Sequence, residues 1–129
     1  MNRLFAATRL WRIAFWCYVP VLFTATHTPG VDIGGKVRID LVVHLGAFGT
    51  WAGLLTLAAY FGPWFSRRNI VRAWPIAVAY AAADESLQAI PFVHRHAAID
   101  DWCANVLGIT LACSALFGLG ASSRRGGRP

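Results

Sequence analysis

The chain has 129 residues, of which 57% are hydrophobic and 14% charged. Soluble domains carry about a quarter charged residues, so this composition, with a mean hydropathy of +0.49, argues against an ordinary soluble domain and for one compact all-α membrane domain. The net charge of +6 does not point to nucleic acid, because the arginines sit in short clusters between apolar runs and form no basic stripe interleaved with exposed aromatics.

At the N-terminus Arg3, Arg9 and Arg12 precede an apolar run, Ile13 to Phe23. That is the layout of a signal peptide, but Thr24-Ala25-Thr26-His27-Thr28-Pro29 offers no small-x-small cleavage site. The run therefore reads as a retained first helix over residues 10–26, containing Pro20. A polar, Gly-rich loop follows, with Pro29-Gly30 and Gly34-Gly35. The second helix is predicted over residues 39–61. Its apolar core of 21 residues, 41–61, holds His44 as its single ionisable group and is long enough for a hydrocarbon layer of about 30 Å. Gly62-Pro63 ends it, and Ser66-Arg67-Arg68-Asn69 reads as a tight turn. A third helix is predicted over residues 70–92, with Pro75 near its start, and a fourth over residues 99–119. The division is a cytoplasmic segment at residues 1–9, a four-helix transmembrane domain at 10–119 and a basic, disordered cytoplasmic tail at 120–129. Evenly apolar runs of this length suit helices, because barrel strands would alternate.

Lys and Arg set the orientation. Arg3, Arg9 and Arg12, then Arg67, Arg68 and Arg72, then Arg124, Arg125 and Arg128 fall on one side of a four-span arrangement. Lys36, Arg38 and Arg95 fall on the other. Both termini are thus expected in the cytoplasm of a bacterial cell, with the protein multi-pass in its inner membrane. Every acid (Asp32, Asp40, Asp84, Glu85, Asp100, Asp101) then lies toward the outer side. Asp84 is eight residues from the predicted helix end, roughly 12 Å below the outer surface.

Asp84-Glu85 with Gln88 is the costliest feature, since an ionised Asp at the bilayer centre costs roughly 2.5–3.5 kcal/mol. Asp40 and His44 lie one turn apart on one face of the second helix, and Phe48 continues that face. Asp101, Asn105 and Gly108 recur at helical spacing on the fourth, and Arg95 lies between the third and fourth. Gly46, Gly49 and Gly53, with the Ala-rich run 77–83, should let backbones approach. Trp11, Trp64, Trp74 and Trp102 lie near helix ends, as interfacial anchors do.

The spacing Asp84-Glu85-x-x-Gln88, Pro91, Arg95, Asp101, Asn105, Gly108 resembles the signature of the VanZ-like membrane proteins. Asp40-Leu41-Val42-Val43-His44 resembles that family's D-K-x-x-H, with Leu41 in place of the usual Lys. Thr28-Pro29 resembles the close of its first helix, while Val93-His94 replaces the frequent Pro-Gly before the Arg. The resemblance spans about residues 10–119. It implies a small multi-pass bacterial membrane protein, in a family whose founding member is associated with low-level teicoplanin resistance. It implies no defined reaction.

The candidate polar-pocket residues are Asp40, His44, Asp84, Glu85, Gln88, Arg95, Asp101 and Asn105. A purely structural tie between helices would account for some of them: interhelical hydrogen bonds average only about 0.6 kcal/mol, a small return on two buried acids. Asp100 or Asp101 also suits a helix start. Arg95 suits phosphate or carboxylate, or an internal partner such as Glu85. The pocket would act at the outer leaflet on a lipid-linked cell-wall intermediate, a glycopeptide or membrane lipids, and so alter glycopeptide susceptibility. An enzyme would use Glu85 or Asp84 with His44 as general acid and base, although no nucleophile motif is visible. A transporter needs polar groups along a whole path, and the cytoplasmic halves offer little beyond Thr50 and Thr56. No cofactor or metal is called for: Cys17, Cys103 and Cys113 read as buried hydrophobes, and His94 and His96 stand in a loop without cysteines nearby.

Overall fold

The computed structural model describes residues 2–28, 39–90 and 98–126. Among them there are four α-helices and no strand: α1 (Asn2–His27), α2 (Ile39–Leu57), α3 (Arg67–Gln88) and α4 (Ile99–Gly126). Helices α2 and α4 are long and apolar enough to cross a membrane.

Two expectations need correction at the ends. Residues 2–9 are not a separate segment but the first turns of α1, since nothing before Pro20 interrupts a run of good helix formers such as Leu4, Ala6, Ala7 and Arg9. Residues 120–126 are not a disordered tail but the last turns of α4. Gly120 is buried against the α2–α3 turn, where an added Cβ would lie 2.5 Å from Phe65 Cβ. That contact anchors the end of the helix.

The α2–α3 connection is shifted toward the N-terminus and is more structured than its composition suggests. α2 stops at Leu57 because Asn69 takes over its end. The Asn69 Nδ2 donates to Thr56 O at 2.7 Å and to Trp64 O at 3.2 Å, and its Oδ1 accepts from Phe61 N at 3.2 Å. Ala59 adopts a left-handed φ of 54° to make the reversal. Ser66 then caps α3 through its hydroxyl, which accepts from Asn69 N at 3.2 Å, so α3 begins at Arg67 and not at Ile70.

α2 is the central helix and packs most extensively on α4. The contact is set by glycine. A Cβ on Gly108 would overlap the Leu45 carbonyl oxygen, and one on Gly49 would lie 3.1 Å from Gly108 O. Gly46 and Gly53, expected to share this role, face open space instead. On α3, Ala73, Ala77 and Ala81 are fully buried at four-residue spacing, and this small-residue stripe lets α3 approach closely. A ring stack fills the centre: Trp51 lies over Tyr80 at 4.6 Å, and Phe15 of α1 tilts against Trp51 at 5.4 Å.

The contacts fix the directions. Arg12 reaches Ala58 and Tyr18 reaches Ala47, so α1 and α2 are antiparallel. His44 meets Asn105 while Gly49 meets Gly108, so α2 and α4 are parallel. Trp74 meets Thr110 and Glu85 meets Ala98, so α3 opposes α4. One end of the molecule therefore collects the C-terminus of α1, the N-terminus of α2, the C-terminus of α3 and the N-terminus of α4.

Candidate functional site

The end where those four termini meet is polar inside. His44, Asp84, Glu85, Gln88 and Asn105 are all buried, with Asn105 at 0% exposure, while Val42 beside them is 66% exposed. Two linked groups of side chains make up this interior.

The first group centres on Asp84. Thr26 of α1 donates its hydroxyl to Oδ1 at 3.1 Å, and Gln88 Nε2, one turn along α3, donates to Oδ2 at 3.1 Å. His27 Nδ1 lies 3.7 Å from Oδ1. Both carboxylate oxygens are thus engaged, and the group ties α1 to α3.

The second group spans α2, α3 and α4. The His44 ring lies nearly parallel to Phe48 on the same face of α2. Its Nδ1 is 3.1 Å from Asn105 Oδ1. Its Nε2 lies 3.9 Å from Asp101 Oδ2. Glu85 accepts from Ala98 N at 2.7 Å through Oε1. This carboxylate faces the N-terminus of α4, where the helix dipole favours an anion. Glu85 is also within electrostatic reach of His44, Asp101 and Asp84.

Three atoms in this interior find no hydrogen-bond partner among the described residues: Glu85 Oε2, Asn105 Nδ2 and His27 Nε2. Tyr80 Oη and the indole nitrogen of Trp51 in the ring stack, and the indole nitrogen of Trp102 near the start of α4, are in the same position. Leaving one such buried group unsatisfied costs about 1–3 kcal/mol. Four of the six (the Asn amide, the Tyr hydroxyl and two indole N–H groups) can donate, and Glu85 Oε2 can accept.

Of the eight sequence candidates, the structure brings His44, Asp84, Glu85, Gln88, Asp101 and Asn105 into this end. Asp40 sits exposed on the first turn of α2, outside the buried group. Arg95 lies outside the described residues, as do Pro29, Pro91, His94 and His96. Sequence reasoning missed Thr26, at the predicted end of the first helix, and His27 just beyond it. Their signal was the α1 face itself: Phe15 and Leu22 are buried, and Thr26 continues the same stripe one turn on.

The chain matches no protein-family model, no curated protein and no solved structure.

Proposed function

We propose that the chain is a VanZ-like integral membrane protein. All four helices cross the bacterial cytoplasmic membrane, both termini are cytoplasmic, and the polar end opens to the outer leaflet. There it binds the head group of a lipid-linked cell-envelope intermediate and alters susceptibility to glycopeptides such as teicoplanin.

The membrane reading is supported by an inverted pattern of burial. Polar side chains are enclosed, while Leu10, Ile13 and Val21 of α1, Val71 and Ile76 of α3, and Leu107, Leu111 and Leu119 of α4 are exposed. In water this arrangement would expose apolar surface on every helix and bury charge; in lipid both preferences reverse. The charges are polarised along the bundle. Arg9, Arg12, Arg67, Arg68 and Arg72 stand at one end and Asp40, Asp84, Glu85, Asp100 and Asp101 at the other, a polarity that supports a cytoplasmic side for the arginines.

The binding reading rests on one observation: Glu85 Oε2 and Asn105 Nδ2 are buried without partners in an end already crossed by two hydrogen-bonded groups. A hydroxyl or amide N–H of a sugar or peptide head group would donate to Glu85 Oε2, and a hydroxyl or amide oxygen would accept from Asn105 Nδ2. The test is teicoplanin susceptibility in cells expressing Glu85→Gln, Asn105→Ala and the parent chain at equal membrane levels. Loss of the resistance conferred by the parent supports the reading; unchanged susceptibility in both variants refutes it.

A further inference from the structure

Toward the arginine-rich end, a groove of about 450 Å³ runs between α3 and α4, within the range of roughly 300–1,000 Å³ typical of ligand sites. Two matched helical stripes form its walls. Arg67, Val71 and Trp74 on α3 recur at i, i+4 and i+7, and Thr110, Ser114 and Phe117 on α4 recur at the same spacing. Because the helices are antiparallel, Trp74 faces Thr110 and closes one end through a 3.0 Å hydrogen bond from its indole N–H to the threonine hydroxyl. Arg67 and Phe117 stand at the other end. Val71 is 60% exposed and Phe117 44%, so the walls are apolar and unfilled by protein.

Charge decides what fits. The mouth of the groove lies at the N-terminus of α3, where the helix dipole is positive. Arg67 is there, and Arg68 and Arg72 are exposed close by. The acids on the described helices stand toward the far end, and none pairs with Arg67. An open apolar groove with a guanidinium at its mouth matches a lipid chain that carries a negative head group. A guanidinium also suits phosphate oxygens, which it binds through two parallel N–H donors.

We propose that this groove holds one acyl chain of an anionic phospholipid, with the lipid phosphate on Arg67. The inference rests on the membrane reading above and adds a specific lipid site in the cytoplasmic leaflet, which is the anionic one. The site is separate from the polar end, where the acids would repel an anion.

The test uses the full chain, purified in detergent, delipidated and titrated with phosphatidylglycerol or phosphatidylcholine of identical chains, with bound lipid counted by native mass spectrometry. The expected result is one phosphatidylglycerol per chain, held at least tenfold more tightly than phosphatidylcholine. Arg67→Gln should reduce that preference to below threefold. Ser114→Trp, which fills the groove, should weaken both lipids. Arg9→Gln, at the same end but outside the groove, should change neither. Inorganic phosphate at millimolar concentration should not displace the lipid; displacement would mean that the head group alone is bound and would overturn the role of the chain. Equal retention of the two lipids by the parent, or an undiminished preference in Arg67→Gln with parent-like circular dichroism, would also overturn the proposal. A chain that stays monodisperse without detergent would instead defeat the membrane reading itself.

Discussion

The Thr26 hydroxyl donates to the Asp84 carboxylate at 3.1 Å, across 58 positions of sequence, and this bond fastens the end of α1 to α3. Gln88 holds the other oxygen, so Asp84 works as an internal tie. A double-mutant cycle with Thr26→Val and Asp84→Asn, followed by denaturation in mixed micelles, should give a coupling of about 0.6 kcal/mol and not above about 1.7. Strict additivity would remove the tie from the account.

Glu85 differs from Asp84 beside it in having one oxygen free. Asp84→Asn should therefore lower stability more than Glu85→Gln, while Glu85→Gln should cost more resistance. The two readouts, unfolding midpoint and teicoplanin susceptibility, should rank the variants in opposite orders. The same order in both would mean that the two acids play one role.

Gly108 meets the Leu45 backbone, and Gly46 meets nothing. Gly108→Ala forces α2 and α4 apart and should destabilise by about 1–3 kcal/mol. Gly46→Ala should be neutral or stabilising by up to about 1 kcal/mol, because alanine is the better helix former. Thermal unfolding of the two variants in one detergent checks the contrast.

Asn69 bonds Phe61 N, Thr56 O and Trp64 O in the α2–α3 turn, and Thr56 O also accepts from Ala59 N. Asn69→Ala should cost about 1–3 kcal/mol. Ala59→Gly, at a left-handed φ of 54°, should gain about 1 kcal/mol, since the strain of placing a Cβ there is removed. A loss of stability in Ala59→Gly would contradict the turn geometry.

Much of this fold was legible in sequence. The apolar runs placed all four helices, and the Asp84, Gln88 and His44, Phe48 spacings placed side chains on the faces they occupy. The ends were less legible, for physical reasons. Residues 120–126 look like a tail by composition, but Gly120 packs on Phe65 and helix persists there. Asn69 reads as a turn residue, and only the fold reveals which carbonyls it meets. Glycines on α2 look equivalent, yet rotation about the helix axis sends Gly49 to α4 and leaves Gly46 and Gly53 in the open. Thr26 was missed because a threonine after an apolar run resembles a helix end, and its partner lies on another helix.

The central claim is that the acid-rich end of a four-span bundle faces outward and the arginine-rich end faces the cytoplasm. Single cysteines at Asp40 and Arg68, in a chain with Cys17, Cys103 and Cys113 replaced, test it directly with a membrane-impermeant maleimide on right-side-out vesicles. Both positions are exposed, at opposite ends. Asp40→Cys should label in sealed vesicles and Arg68→Cys only after permeabilisation; the reverse pattern, or labelling of both in sealed vesicles, would contradict the account.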